Sequence, residues 1–413
     1  MNIFKKFKLF TKDMGPGIIT GASDDDPSGI ATYSQAGAAF GYTTLWTAWL
    51  TFPLMAIIQE MCARIGLVTA KGLTAIIKEY YPRPLLIALI LFSFPAIVLN
   101  IGADIAGMGA VTNLLFPKIP AFIFSILFTL IMFVCLLLFP YKKIARILRL
   151  LCLSLLVYFV VPFMVKENWP AIIANTLVPH MQLTKTFFAL LVGILGTTIS
   201  PYLFYWQTTM EAENRAATGL IPLKNKDFKI MRRDVGIGMF FSNLVMFFII
   251  LTTAAVLHPA GITQINTVDE AAAALKPLAG NWAYLLFALG VIGTGFLAIP
   301  VLCGTLSYMF TETLGWHGTF DNTFKQAKGF YGVLATSLLV GLFLNFMHIS
   351  PVKALIYTAI LYGIMAPPLI LIIIKIANNK NIMGNRVNSP LSNFGAYLTF
   401  ILMSIAALGL IFL

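Results

Sequence analysis

The chain has 413 residues, 59% of them hydrophobic and only 11% charged, with a formal net charge of +12. Soluble domains carry about 25% charged residues, so the composition excludes an ordinary soluble protein, and repeated apolar runs of about 20 residues mark membrane-spanning helices. The basic residues fall between those runs, so the positive charge reflects membrane topology and not nucleic-acid binding.

Eleven spans are predicted, over about 14–41, 44–66, 84–112, 119–140, 144–166, 186–214, 233–257, 270–313, 328–348, 351–377 and 392–412. The basic N-terminus leads into an apolar stretch interrupted by Pro16 and three acids, with no small-residue cleavage site, so no signal peptide is expected. The eighth segment is too long for one span; its start belongs at the interface and its core near Trp282–Tyr308. With the N-terminus in the cytoplasm, 23 of the 28 Lys and Arg residues fall on the cytoplasmic side. The expected location is therefore the plasma or inner membrane, multi-pass, N-terminus inside and C-terminus outside.

Span one holds Asp24, Asp25 and Asp26 in succession, followed by Pro27-Ser28-Gly29. A carboxylate at membrane depth is costly and is retained for a task such as ion handling. Span six is interrupted in the same style at Gly196-Thr-Thr-Ile-Ser-Pro-Tyr202. Each interruption opens a group of five spans, one starting inside and the other outside. The chain then reads as one transporter domain of two inverted repeats, about 14–166 and 186–377, plus an extra span at about 392–412. Paired Gly/Pro-interrupted helices at matching positions point to a binding site at the membrane midplane.

Asp26 and Ser200 each stand before a proline that suits the first position of a helix, so each is expected to cap a new half-helix. The preceding half-helices should end in free carbonyls, which attract cations. A capping Asp26 should keep its second oxygen free for a metal. Three adjacent carboxylates cannot all ionise without a cation, so Asp24 and Asp25 either cap backbone groups or line an aqueous approach.

Other polar residues carry weaker signals. Asp104 is an isolated acid on span three. Glu211 and Glu213 read as solvated charges at the inner end of span six, although Glu211 is also placed to line an exit path, and Gln207 is placed to reach the site or its waters. Glu312 reads as a similar end charge, and Glu60 as a helix pair with Arg64. Asp269 and Glu270 suit an acidic start to span eight. Cys62, Cys135, Cys152 and Cys303 are scattered through apolar runs and imply neither disulfides nor a soft-metal site. The four histidines form no ligand pair, and no HExxH or GxSxG motif suggests an enzyme.

Taken together, Asp26-Pro27-Ser28-Gly29, the interrupted sixth span and the eleven-span pattern resemble the NRAMP family of divalent-metal transporters, over essentially the whole chain. The resemblance implies an all-α membrane protein of LeuT-type fold, with spans one and six broken. It implies a metal site at Asp26, Ser23, Gly29, Thr197 and Ser200. Asp24, Asp25, Asp104, Tyr202, Gln207 and Glu211 then border the site or the ion path. The family's first motif is Asp-Pro-Gly-Asn, and Gly29 stands where its Asn binds metal. The second motif is Met-Pro-His, which here is Ser200-Pro201-Tyr202. These departures make the chain most similar to the divergent NRAMP-related magnesium transporters. A thioether favours softer metals, whereas oxygen ligands and water suit magnesium and manganese.

The family's proton-handling acid pair on span three is reduced to Asp104, with Gly107 at the Glu position, and the arginine of span nine has no counterpart. The expected activity is potential-driven entry of Mg2+, and also Mn2+, as transported substrates, with no cofactor and no proton coupling. Its partners are the divalent ions and the lipid bilayer, not nucleic acid. A proton-coupled Mn2+/Fe2+ symporter is the main alternative. A sodium-coupled symporter of organic solutes on the same fold, or a channel, is a further one.

Overall fold

The computed structural model describes residues 15–139, 155, 157–165, 168–347 and 349–412. Most of the predicted fifth span, Cys152 and His348 lie outside these residues.

Span one is two helices, α1 (Pro16–Asp24) and α2 (Pro27–Phe40). They are followed by α3 (Trp46–Thr69), a short α4 (Leu73–Tyr80), α5 (Arg83–Leu115) and α6 (Ala121–Leu138). After the turn Val157–Val160 comes another short helix, α7 (Trp169–Leu177). Span six is also two helices, α8 (Lys185–Thr198) and α9 (Pro201–Ala217). The remaining long helices are α10 (Asn225–Val256), α11 (Ala283–Leu314), α12 (Lys328–Leu344), α13 (Pro351–Asn378) and α14 (Pro390–Phe412).

Among the described residues, eight segments are long and apolar enough to cross a membrane, one of them spanning α8 and α9. The most apolar 18-residue window of that broken segment is 94% buried, against 28% for α6. The broken span therefore runs through the middle of the bundle, while α6 faces lipid. Span eight starts as expected: short turns over Val268–Trp282 precede α11, and Thr267 with Glu270 forms a capping box at the first of them. The helices α4 and α7 fall between predicted spans and were not foreseen.

The backbone explains both breaks. The residue before a proline is pushed out of the helical region, and Asp26 (φ −69°, ψ 172°) and Ser200 (φ −74°, ψ 127°) are extended. The half-helices before the breaks are held by glycine seams. A Cβ on Gly21 would stand 2.3 Å from the Gly238 carbonyl of α10, and one on Gly196 would stand 2.0 Å from the Ala359 carbonyl of α13. Small residues allow such close backbone approach between membrane helices. The start of α1 is capped from another span: Asp234 of α10 accepts from the amides of Gly15 at 2.9 Å and Gly17 at 2.6 Å. The halves after the breaks pack on partners in opposite parts of the chain, α2 on α10 and α9 on α3.

Candidate metal site

Asp26 is fully buried and caps α2 as predicted. Its Oδ1 accepts from the Gly29 amide and the Ser28 hydroxyl, both at 2.7 Å. The expectation of a free second oxygen is corrected, because Oδ2 accepts from Asn100 Nδ2 at 2.9 Å. Asn100 is itself held by Thr358, whose hydroxyl donates to Asn100 Oδ1 at 2.9 Å. This chain ties the break in span one to α5 and α13.

The other acids gather close by. Asp24 ends α1, and its Oδ2 accepts from Ser242 Oγ at 2.6 Å. The same hydroxyl lies 3.5 Å from Asp25, so its single proton belongs to Asp24. Asp24 Oδ1 and both oxygens of Asp104 are buried with no hydrogen-bond partner of ordinary geometry. Asp104 lies within electrostatic reach of Asp26 and beside the Ser28 amide. No Lys or Arg forms an ion pair with any of these four acids among the described residues. Nor do three or more His, Cys, Asp or Glu side chains there form a group able to hold a metal by themselves.

Gly29 marks where the two breaks meet. A Cβ there would stand 3.3 Å from the Asp24 carbonyl oxygen, from Thr197 Oγ1 and from the Tyr33 ring. Thr197 and Gly29 are thus brought together with Asp26, as the sequence implied.

Ser200 corrects a second expectation. It does not cap α9; its hydroxyl turns back to the carbonyls of Thr197 at 2.6 Å and Gly196 at 3.0 Å. The carbonyls expected to be free are also partly occupied, since Tyr202 donates to the Ser23 carbonyl at 3.1 Å. The Ser23 hydroxyl points back along α1 to the Ile19 carbonyl. Ser23, Ser200 and Tyr202 therefore border the breaks with their hydroxyls committed to backbone.

A buried polar line runs from the site toward the far end of α9. Thr20 Oγ1 lies 2.5 Å from Gln207 Oε1, and Gln207 Nε2 donates to Glu211 Oε1 at 3.3 Å. Glu211 is 5% exposed, so the reading of a solvated end charge is wrong for it. Glu312 is likewise engaged, accepting from the Ala75 amide at 2.9 Å at the start of α4. Glu213 accepts from the Tyr308 hydroxyl at 2.7 Å. The Glu60–Arg64 pair is present, at 3.2 Å.

Asn100, Thr358 and Ser242 were missed. Asn100 lies four residues before Asp104 and so on the same helix face; an amide within an apolar run was the available signal. Gly107 sits against Leu355 and Pro27, with 3.2 Å and 3.7 Å left for a Cβ, so a long acid at that position would be pressed against the first break.

Comparison with known proteins places this geometry in context. Residues 17–413 match the model of the family described as natural resistance-associated macrophage protein-like (Nramp). The chain is 26% identical over 386 residues to the divalent metal cation transporter MntH of Yersinia enterocolitica, covering 92% of this chain and 89% of that protein. It is 30% identical over 311 residues to the MntH of Yersinia pestis, covering 73% and 72%. The fold resembles that of the Eremococcus coleocola manganese transporter, solved with an aromatic bis-isothiourea compound. The TM-score is 0.78 at 16% identity, over 99% of this chain and 87% of that one. It also resembles Mhp1, a nucleobase-cation-symport-1 family transporter, with a TM-score of 0.57 at 14% identity over 96% and 90%.

Proposed function

This chain belongs to the Nramp family, and we propose that it carries divalent metal cations across the membrane, favouring Mg2+ and also passing Mn2+, without coupling to protons. The carrying observation is a group of four buried acids, Asp24, Asp25, Asp26 and Asp104, at a helix break inside the bundle with no basic partner among the described residues. Buried charges need pairing or a metal, and a transported cation supplies it.

In this reading Asp26 makes the main contact. Gly29 puts no side chain between Asp26, the Asp24 carbonyl and the Thr197 hydroxyl, the oxygens that would reach the ion. Ser23 and Ser200 border the site, and Asp25, Asp104, Tyr202, Gln207 and Glu211 line its surroundings and path. Protein ligands are few, and the position where the family carries a thioether holds Ser200. Magnesium dehydrates reluctantly and keeps several waters, so an oxygen-only site with few protein ligands suits it. The inverted repeats at about 14–166 and 186–377 alternate access around this point, with the N-terminus inside and the C-terminus outside. Proton transfer lacks a relay: Asp104 stands without an acid at Gly107, and α12 carries no arginine. A dication entering down a potential of about 100 mV, inside negative, gains roughly 4.6 kcal/mol, enough to drive uptake alone.

The test is uptake of Mg2+, Mn2+ and Cd2+ into proteoliposomes at a clamped potential, beside an internal pH dye. We expect Mg2+ and Mn2+ entry that follows the potential, with no metal-dependent acidification. Stoichiometric acidification tracking metal entry restores the proton-symporter reading, and strong preference for Cd2+ removes the magnesium assignment.

A further inference from the structure

Away from the metal site, four basic side chains converge on one cavity. Arg64 from the end of α3, Lys229 and Arg232 from the first turns of α10, and Arg386 from the connector between α13 and α14 line a space of about 330 Å3 with Asn225 and Phe228. Scattered topology charges need no such convergence, nor do they need to be fixed in place. Here three of the four are held by partners. Arg64 is buried and donates to Glu60, to the Arg386 carbonyl at 2.6 Å and to Asn388 Oδ1. The Arg386 guanidinium lies 4.3 Å over the Phe228 ring and donates to Asn225 Oδ1 at 2.9 Å. Glu60 is already shared between Arg64 and Arg232, so one carboxylate faces four cations. Lys229 is exposed and has no ion-pair partner among the described residues.

We propose that this cavity binds a phosphate-bearing anion, either the headgroup of an anionic phospholipid or a soluble phosphate. Arginine forks match phosphate oxygens in pairs, and lysine adds a mobile point charge. The α10 amides add the partial positive charge of a helix start. Basic pockets between membrane helices at one interface hold anionic headgroups by the same chemistry.

The test uses the full chain in two arms. In the first, nanodiscs of mixed phosphatidylcholine and phosphatidylglycerol are dissolved and the lipids retained by the protein are counted by native mass spectrometry. In the second, inorganic phosphate and pyrophosphate are titrated against thermal unfolding in detergent. We expect selective retention of phosphatidylglycerol, stabilisation by pyrophosphate, or both. The Lys229→Gln/Arg386→Gln pair should weaken the effect roughly tenfold, as expected for loss of charge-assisted hydrogen bonds. The control pair Lys226→Gln/Arg233→Gln removes the same charge outside the cavity and should leave it intact. Lys229→Gln alone breaks no hydrogen bond or ion pair among the described residues and serves as the folded variant, with a smaller loss. An effect in the lipid arm only identifies a headgroup, and one in the soluble arm only a free phosphate. No selectivity in either arm, or an equal loss in the control pair, overturns the proposal.

Discussion

In the first break, Asp26 precedes Pro27 and its carboxylate accepts from the Gly29 amide, the Ser28 hydroxyl and Asn100. In the second, Ser200 precedes Pro201 and its hydroxyl turns back to the Thr197 and Gly196 carbonyls. Both backbones are extended before proline, and both preceding half-helices rest on glycine seams. The difference lies in what satisfies the exposed backbone. The first break uses a charge, and that charge then needs a counter-ion. The second uses a neutral hydroxyl that closes on its own helix. In the proposed reading one backbone device serves two ends: a charged half that attracts the ion and a neutral half that shapes the space around it.

The largest effect should come from removing the charge at the first break while keeping its cap. Asparagine caps helices about as well as aspartate, so Asp26→Asn should still insert and fold, with some loss of stability because its amide NH2 meets the Asn100 donor where the carboxylate accepted. Uptake of Mg2+ and Mn2+ should fall to background. Wild-type uptake by a stable Asp26→Asn protein would falsify the charge assignment and leave Asp26 as a cap alone.

Next in size is a test of what the breaks share. Gly21→Ala and Gly196→Ala each place a methyl within 2.3 Å of a backbone carbonyl. Backbone cannot swing aside as a side chain does, so the helices must part, at a cost of about 1–3 kcal/mol or more for overpacking. Both should lower the unfolding temperature by similar amounts. Gly236→Ala, with nothing within 4 Å of its Cβ position, is the matched control in α10 and should not. A harmless Gly196→Ala would show that only the charged half depends on close packing.

Much of this was legible in the chain because membrane burial makes exceptions informative. Prolines inside apolar runs located both breaks, with adjacent acids at the first and glycine and serine at the second, and Asp26 as a cap followed from its place before Pro27. The partners were less legible. Asn100 reaches Asp26 from 74 positions away and Ser242 reaches Asp24 from 218 away, and single-chain periodicity carries no information on pairing between spans. Ser200 misled for a different reason: a hydroxyl before proline can cap forward or bond backward, and the sequence does not say which. Glu211 and Glu312 misled because acids near a predicted span end look solvated until neighbouring helices are seen to cover them.

A smaller effect should follow from giving the neutral half the family's softer chemistry. Ser200→Met with Gly29→Asn adds a thioether and an amide beside Asp26, which should shift preference from Mg2+ toward Mn2+ and Cd2+ in competition uptake. The Gly29 position leaves 3.3 Å to three neighbours, so the asparagine fits only if they give by a few tenths of an ångström. Unchanged selectivity in a transporting double variant would place the metal elsewhere.

The smallest effect is expected at Ser200 itself, and it decides whether the two breaks differ in kind. Its hydroxyl proton is used within its own helix, at 2.6 Å from the Thr197 carbonyl. Ser200→Ala therefore removes one hydrogen bond, worth about 1 kcal/mol of stability, and frees that carbonyl without adding or removing charge. A freed carbonyl at a helix end offers a cation an oxygen as good as the hydroxyl it replaces. Mg2+ uptake should stay within about twofold of the wild type, with a slight fall in unfolding temperature. If Ser200→Ala instead abolishes uptake as Asp26→Asn is expected to, the hydroxyl is a ligand during transport. The second break would then bind the ion as directly as the first, and the division into a charged half and a shaping half would not hold.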